Sequence, residues 1–241
     1  MSIKSYKIRP LFDTESATWS YILMDRDSGK AVIIDPVWEQ IERDSRLLQE
    51  LGVSLTYVLE THIHADHITA ASMLKDRTGA QIVYGAANDV DGADQFIKDG
   101  ETLAIGSTLI TALATPGHTG GCTSYYVEGD DGEGAVFTGD TLLIRGCGRT
   151  DFQSGSAASL YHSVHDKLFT LPDETIVYPA HDYKGMLFSR IGEEKKYNPR
   201  LKIGESEEDF IKIMDNLKLD HPKKIAAAVP ANMKAGRTGY Q

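Results

Sequence analysis

Thr61-His62-Ile63-His64-Ala65-Asp66-His67 follows directly on the apolar run Tyr57-Val58-Leu59. It places three imidazoles and a carboxylate in six consecutive positions just past a predicted strand. Imidazole nitrogen and carboxylate oxygen are the donors that suit zinc, iron and manganese. A single histidine more often satisfies a hydrogen bond than a metal. Such a density of donors behind a strand reads instead as one wall of a metal site.

Three further candidate ligands occupy the same kind of place. His118 ends Thr115-Pro116-Gly117-His118, after a predicted strand over residues 108–114. Asp140 ends Thr138-Gly139-Asp140, after Val136-Phe137, and His181 lies in Pro179-Ala180-His181-Asp182, after Ile176-Val177-Tyr178. Loops at strand ends are where rigid scaffolds present chemical groups. The glycine or proline beside each candidate lets the backbone turn sharply, so that distant segments can converge. Singly these signals are weak; the four segments together are specific.

Around these points the chain repeats a layout. Tyr21–Met24, a turn ending in Ser28-Gly29, and Ala31–Ile34 predict a hairpin ending at Asp35. Ser124–Val127, a Gly/Asp turn and Ala135–Phe137 predict a second, ending at Asp140. A helical pattern follows each: Trp38 to Leu51 in the first half, and Leu160, Val164 and Leu168 in the second. Each is succeeded by a short strand running into histidine, so the element order suggests an internal repeat. A helix is expected from just after Asp66 to Gly79, then a strand over Gln81–Tyr84. Ser206 with Asp209 resembles a capping box opening a helix through Phe210, Ile211, Met214 and Leu217. The stretch from Val229 to Gln241 reads as irregular. With no low-complexity linker, residues 1–241 read as one domain with a short C-terminal extension from about residue 200.

A net charge of -10 argues against nucleic-acid binding, which needs a basic stripe. A chain of 241 residues can bury roughly 70% of its unfolded surface, so it needs no disulfide staples. Its two cysteines, Cys122 and Cys147, are read as reduced thiols. No apolar stretch approaches membrane-spanning length, and the first residues lack a signal or transit pattern. A soluble, cytoplasmic protein without a membrane partner is expected.

The order HxHxDH, then His, Asp and His, resembles the metallo-β-lactamase superfamily. That likeness implies an α+β fold, a four-layer αββα sandwich with the metal site along one edge of two packed sheets. In dinuclear members His62, His64 and His118 would hold one metal, Asp66, His67 and His181 the other, with Asp140 bridging. All seven positions are filled, and spacing alone leaves one metal or two open. The run from Gly139 through Leu142-Leu143-Ile144-Arg145-Gly146-Cys147-Gly148-Arg149-Thr150-Asp151-Phe152-Gln153 closely resembles that of persulfide dioxygenases. So do Thr61–Thr69, Pro179-Ala180-His181-Asp182-Tyr183-Lys184-Gly185, Asn198-Pro199-Arg200-Leu201 and Val229-Pro230-Ala231-Asn232-Met233. These motifs span residues 57 to 233.

The resemblance implies one Fe(II) per subunit held by His62, His118 and Asp140, with coordination positions left open for persulfide sulfur and dioxygen. The implied reaction is oxidation of glutathione persulfide by O2 and water to sulfite and glutathione. His64, Asp66, His67 and His181 are then expected to support the ligands or, alternatively, to hold a second metal. Arg149, Tyr183 and Arg200 are expected to contact the substrate, because glutathione carries two carboxylates. Cys147 is read as packing, and His162, His165 and His221 receive no catalytic role. The family commonly forms homodimers. With no rhodanese-like segment in the chain, sulfur is expected to come from another protein or by diffusion. The competing enzyme is a glyoxalase II-like dinuclear thioesterase, although its usual long helical C-terminal domain is not seen here. The non-enzymatic reading is a metal-binding module that responds to iron or sulfide.

Overall fold

The computed structural model describes residues 6–129, 133–220 and 222–238; His221 lies outside them. The first half contains strands β1 (Tyr6–Asp13), β2 (Thr18–Asp25) and β3 (Lys30–Ile34), helix α1 (Ile41–Glu50), β4 (Ser54–Leu59), helix α2 (Ala71–Thr78), β5 (Gln81–Gly85) and β6 (Gln95–Ile97). The second begins with β7 (Thr102–Ile105), β8 (Thr108–Ala114), β9 (Thr123–Val127) and β10 (Ala135–Gly139). Helix α3 (Ala157–Asp166), β11 (Ile176–Pro179), β12 (Ser189–Arg190) and helices α4 (Ile191–Tyr197), α5 (Glu207–Asp215) and α6 (Ile225–Asn232) complete it. Strands β1 to β6 form one sheet in sequential order, and β12 back to β7 form the other.

Side-chain alternation sets the layers. In β2 and β3, Ile22, Met24, Ala31 and Ile33 turn outward to meet Ile41 and Leu48 of α1 and Leu74 of α2. Tyr21, Leu23, Val32 and Ile34 turn inward to meet Ile110, Tyr125 and Phe137 of the second sheet. The outer face of that sheet, through Val136 and Val177, packs on Leu160 and Val164 of α3 and Phe210 of α5. A sheet covered on both faces explains why β3 is an unbroken apolar run rather than an alternating one. The result is the expected αββα sandwich.

The repeat also has a structural form. β2 pairs antiparallel with β3, and β3 parallel with β4 across α1. β9 likewise pairs antiparallel with β10, and β10 parallel with β11 across α3. The sequence reading passed over β1, whose Pro10 is tolerated because the strand lies at a sheet edge. Two expectations are corrected. Helix α2 begins at Ala71 rather than just past Asp66, because the backbone of residues 68–70 bonds outward: Ile68 O accepts from Trp38 N, and Ala70 N donates to Pro36 O. It does stop at Gly79, whose φ of 76° suits a residue without Cβ. Residues 229–232, expected to be irregular, belong to α6, which carries Pro230 inside it. Proline there deprives the helix of one N–H donor but does not end it, since Met233 N still donates to Val229 O.

Candidate metal centre

Four strand ends converge at one edge of the sandwich, held there by tyrosines that reach across it. Tyr21 of the first sheet donates its hydroxyl to Pro179 O at 2.7 Å, two residues before His181. Tyr125 of the second donates to Glu60 O at 3.0 Å, two residues before His62. Each sheet thus fixes the strand end that delivers the other's histidine. Buried hydroxyls with single, well-defined acceptors make that positioning rigid.

His62, His118 and Asp140 come together, each offering an atom within 4.8 Å of the others. The His62 and His118 rings stand almost perpendicular, 4.9 Å apart. In His62, His118 and His181, Nδ1 faces an oxygen. His62 Nδ1 lies 2.9 Å from Thr61 Oγ1, and that hydroxyl donates in turn to Asp35 Oδ2 at 2.8 Å. His118 Nδ1 lies 2.7 Å from Arg149 O, and His181 Nδ1 3.0 Å from Ala17 O. A carbonyl can only accept, so Nδ1 carries the proton and Nε2 keeps a bare lone pair in neutral His118 and His181. His118 Nε2 lies 3.5 Å from Asp140 Oδ2, while His181 Nε2 lies 3.7 Å from Asp140 Oδ1 and 3.5 Å from Asp66 Oδ2. Lone pairs aimed at carboxylate oxygens repel unless a metal ion, or a proton on the imidazole, lies between them. Asp140 Oδ1 is buried and has no hydrogen-bond partner among the described residues. The donor set fits a metal ion.

Protonation preferences separate the histidines. Burial, then the nearby His64 and His118, push His62 well below the ordinary imidazole range, leaving it neutral and able to ligate. Burial would also lower His181, but the Asp140 and Asp66 carboxylates outweigh it and raise its pKa. Burial would raise Asp66, yet His67 and His181 hold it well below the usual carboxylate range.

The other expected residues surround this trio. His64 Nε2 is turned toward two buried carboxylates, 3.1 Å from Asp35 Oδ1 and 3.4 Å from Glu60 Oε2. His67 Nδ1 lies 3.0 Å from Asp66 Oδ2, which also accepts from Thr18 Oγ1 at 3.2 Å. His64, Asp66 and His67 also form a group able to hold a cation. Sequence reasoning noted Asp35 only as a hairpin end and gave Thr61 no role. The matching positions of Asp35 and Asp140 in the repeat were the signal for the first; nothing local pointed to the second.

A cavity of about 540 Å³ opens on the trio and is also lined by Arg149, Tyr183 and Arg200. The Arg149 fork is occupied: Nε and Nη2 each lie 2.6 Å from an oxygen of Asp151, and Nη1 donates to Asp220 O at 2.6 Å. Arg200 is half-buried with no carboxylate partner among the described residues; its Nη1 lies 3.8 Å from Cys147 Sγ. Tyr183 is exposed and stacks parallel to the His181 ring at 5.9 Å. Burial raises the Cys147 thiol to about 11, so it stays protonated and suits packing rather than attack. Both cysteines are free and buried. His162 is exposed and pairs with Asp166, and His165 stacks on Tyr161, both away from the centre.

A sequence model described as the metallo-beta-lactamase superfamily matches residues 13–181. A mouse (Mus musculus) protein named persulfide dioxygenase ETHE1, mitochondrial, is 48% identical over 95% of this chain and 88% of its own. The crystal structure of ETHE1 from Myxococcus xanthus superposes with a TM-score of 0.91 at 50% identity, covering 96% of this chain and 100% of that one. A probable hydroxyacylglutathione hydrolase from Schizosaccharomyces pombe is more distant, 30% identical over 87% of this chain and 94% of its own.

Proposed function

The chain belongs to the metallo-beta-lactamase superfamily and, within it, to the persulfide dioxygenases, and from that premise we propose that it oxidises glutathione persulfide with O2 and water to sulfite and glutathione. The observation that carries the reading is the meeting of His62, His118 and Asp140 on one side of an open cavity. Two imidazoles and one carboxylate on a single face are the donor set of mononuclear non-haem iron sites. One Fe(II) per subunit, when bound there, supplies adjacent binding positions and redox capacity for sulfur and dioxygen.

The protein's own groups orient the reactants. The acceptors on Nδ1 of His62 and His118 fix both ring planes and tautomers, with the Nε2 lone pairs toward the cavity. Asp66, His67 and His181 form a bonded cluster beside the centre, and Asp35 and Glu60 engage His64; we assign all four expected residues to support rather than to a second metal. Arg200, which has no carboxylate partner among the described residues, is placed to pair with a glutathione carboxylate, with Tyr183 beside His181 at the cavity wall. Arg149 borders the same space with its fork engaged, so its contact with substrate would come from the face of the side chain. We further propose a homodimer in the cytoplasm. No helix among the described residues is long and apolar enough to cross a membrane, while the mouse relative is named as mitochondrial.

Iron-loaded protein mixed aerobically with glutathione persulfide should consume O2 and release sulfite. Hydrolysis of lactoylglutathione without O2 uptake, together with two tightly held metals per active chain, would replace this reading with the thioesterase. Arg200→Ala should raise KM for the persulfide by about tenfold, the worth of one charged hydrogen bond, with iron content unchanged.

A further inference from the structure

We infer that Asn232, at the end of α6, is a positioning residue that holds the metal-bearing loop through its backbone. The side chain is 1% exposed and reaches across more than 160 residues of sequence. Its Nδ2 donates to His64 O at 2.9 Å and to His67 O at 2.8 Å, and its Oδ1 accepts from Thr69 N at 2.9 Å. Two carbonyls on one side and an N–H on the other leave only one orientation of the amide that satisfies all three bonds. No other side chain of similar size offers two donors and an acceptor in that arrangement. Aspartate would set oxygen against oxygen at His64 and His67, and alanine would strand the three backbone groups in a buried place.

The rest of the C-terminal segment is shaped to that loop and to the elements beside it. Ser72 N donates to Ala235 O at 3.1 Å, and Asp91 N to Met233 O at 2.8 Å. At Gly236 any Cβ would fall 2.2 Å from Thr69 O, and φ is +82°, so glycine allows the two backbones to touch. From the opposite side Gln153 Nε2 donates to Ile63 O at 2.9 Å. The loop backbone is therefore gripped by two separate segments of the second half of the chain, which fixes where the His62, His64 and His67 rings point. The inference rests on the metal site alone and stands whether or not persulfide is the substrate.

The test compares Asn232→Asp and Asn232→Ala with Ala228→Gly, which weakens α6 at a buried position but leaves the amide bonds in place. Cobalt(II) serves as the spectroscopic probe and iron as the native load. Both Asn232 variants should release iron to a chelator ~10-fold faster and shift the cobalt absorption bands, at the low end of the effect of outer partners because the amide acts on His62 through the loop backbone. Ala228→Gly should lower the melting temperature of the metal-free protein without either change. A second measurement needs no variant: loading the wild type with metal should slow amide hydrogen exchange in α6 but not in α5, because coupling is reciprocal. Wild-type release and spectra in both Asn232 variants, equal acceleration in Ala228→Gly, or α6 exchange indifferent to metal would each overturn the assignment.

Discussion

Asp35 and Asp140 close matching hairpins, one in each half of the sandwich, yet they face opposite duties. In the first half the left-handed kink falls on the aspartate itself, with φ of 50° at Asp35. Its carboxylate folds back into the protein, accepting from Thr61 N at 2.7 Å and Thr61 Oγ1 at 2.8 Å. In the second half the kink falls one residue earlier, at Gly139 with φ of 54°, where the β10–β11 register shifts between Phe137 and Gly139. The aspartate then comes after the bend and reaches the space between His118 and His181. A one-residue offset in a pleated strand reverses where a side chain points. The same scaffold position thus yields a supporting carboxylate in one half and a candidate ligand in the other.

The strongest way to break this contrast is to remove each aspartate. Asp140→Ala should reduce metal retention by more than ~100-fold, beyond the range for outer partners, and O2 uptake should fall with it. Metal analysis after gel filtration checks this; a full complement of tightly held metal would take Asp140 out of the ligand set. Asp35→Asn should cost ~10–100-fold in metal affinity, because it loosens Thr61 and through it His62, while the ligands themselves remain. If the two variants lose metal equally, the difference in duty is wrong.

A finer probe is Gly139→Ala. Its Cβ would lie 2.5 Å from Thr61 Oγ1 in a backbone region that disfavours side chains. Thermal or denaturant unfolding should show a loss of about 1–3 kcal/mol, the range of overpacked sites. The smallest effect on metal, none, is expected at Asp25, a buried carboxylate with its bonds filled. It accepts from Ser28, Ser107 and Thr108 through both backbone and side chain, tying the β2–β3 turn to the start of β8. Burial would raise its pKa, but these donors hold it well below the usual range. A depressed carboxylate contributes its stability above the unfolded value of about 3.9 and loses it as pH falls from there toward the folded one. The wild-type melting temperature should therefore drop more steeply below about pH 4 than that of Asp25→Asn, with metal content alike in both. Parallel acid profiles would remove Asp25 from this role.

Much of the layout was legible in the sequence. The apolar runs of β3, β4 and β10 and the hairpin turns marked both halves, because side chains buried on two faces leave an unmistakable local signature. Edge strand β1 and helix α6 escaped, since Pro10 and Pro230 are tolerated only for tertiary reasons: an unpaired edge, and a helix end anchored by Asn232.

The candidate donors were written in the chain: residue type and a place after a strand are local properties, so His62, His118, Asp140 and their neighbours stood out before any question of what each one meets. Folding alone decided which carboxylate faces the centre, that His64 turns to Asp35 and Glu60, that Asp151 occupies the Arg149 fork, and that a distant asparagine grips the loop. Those outcomes depend on directions and distances between segments far apart in sequence. A chain's pattern specifies what each segment can offer, whereas only packing sets what it meets.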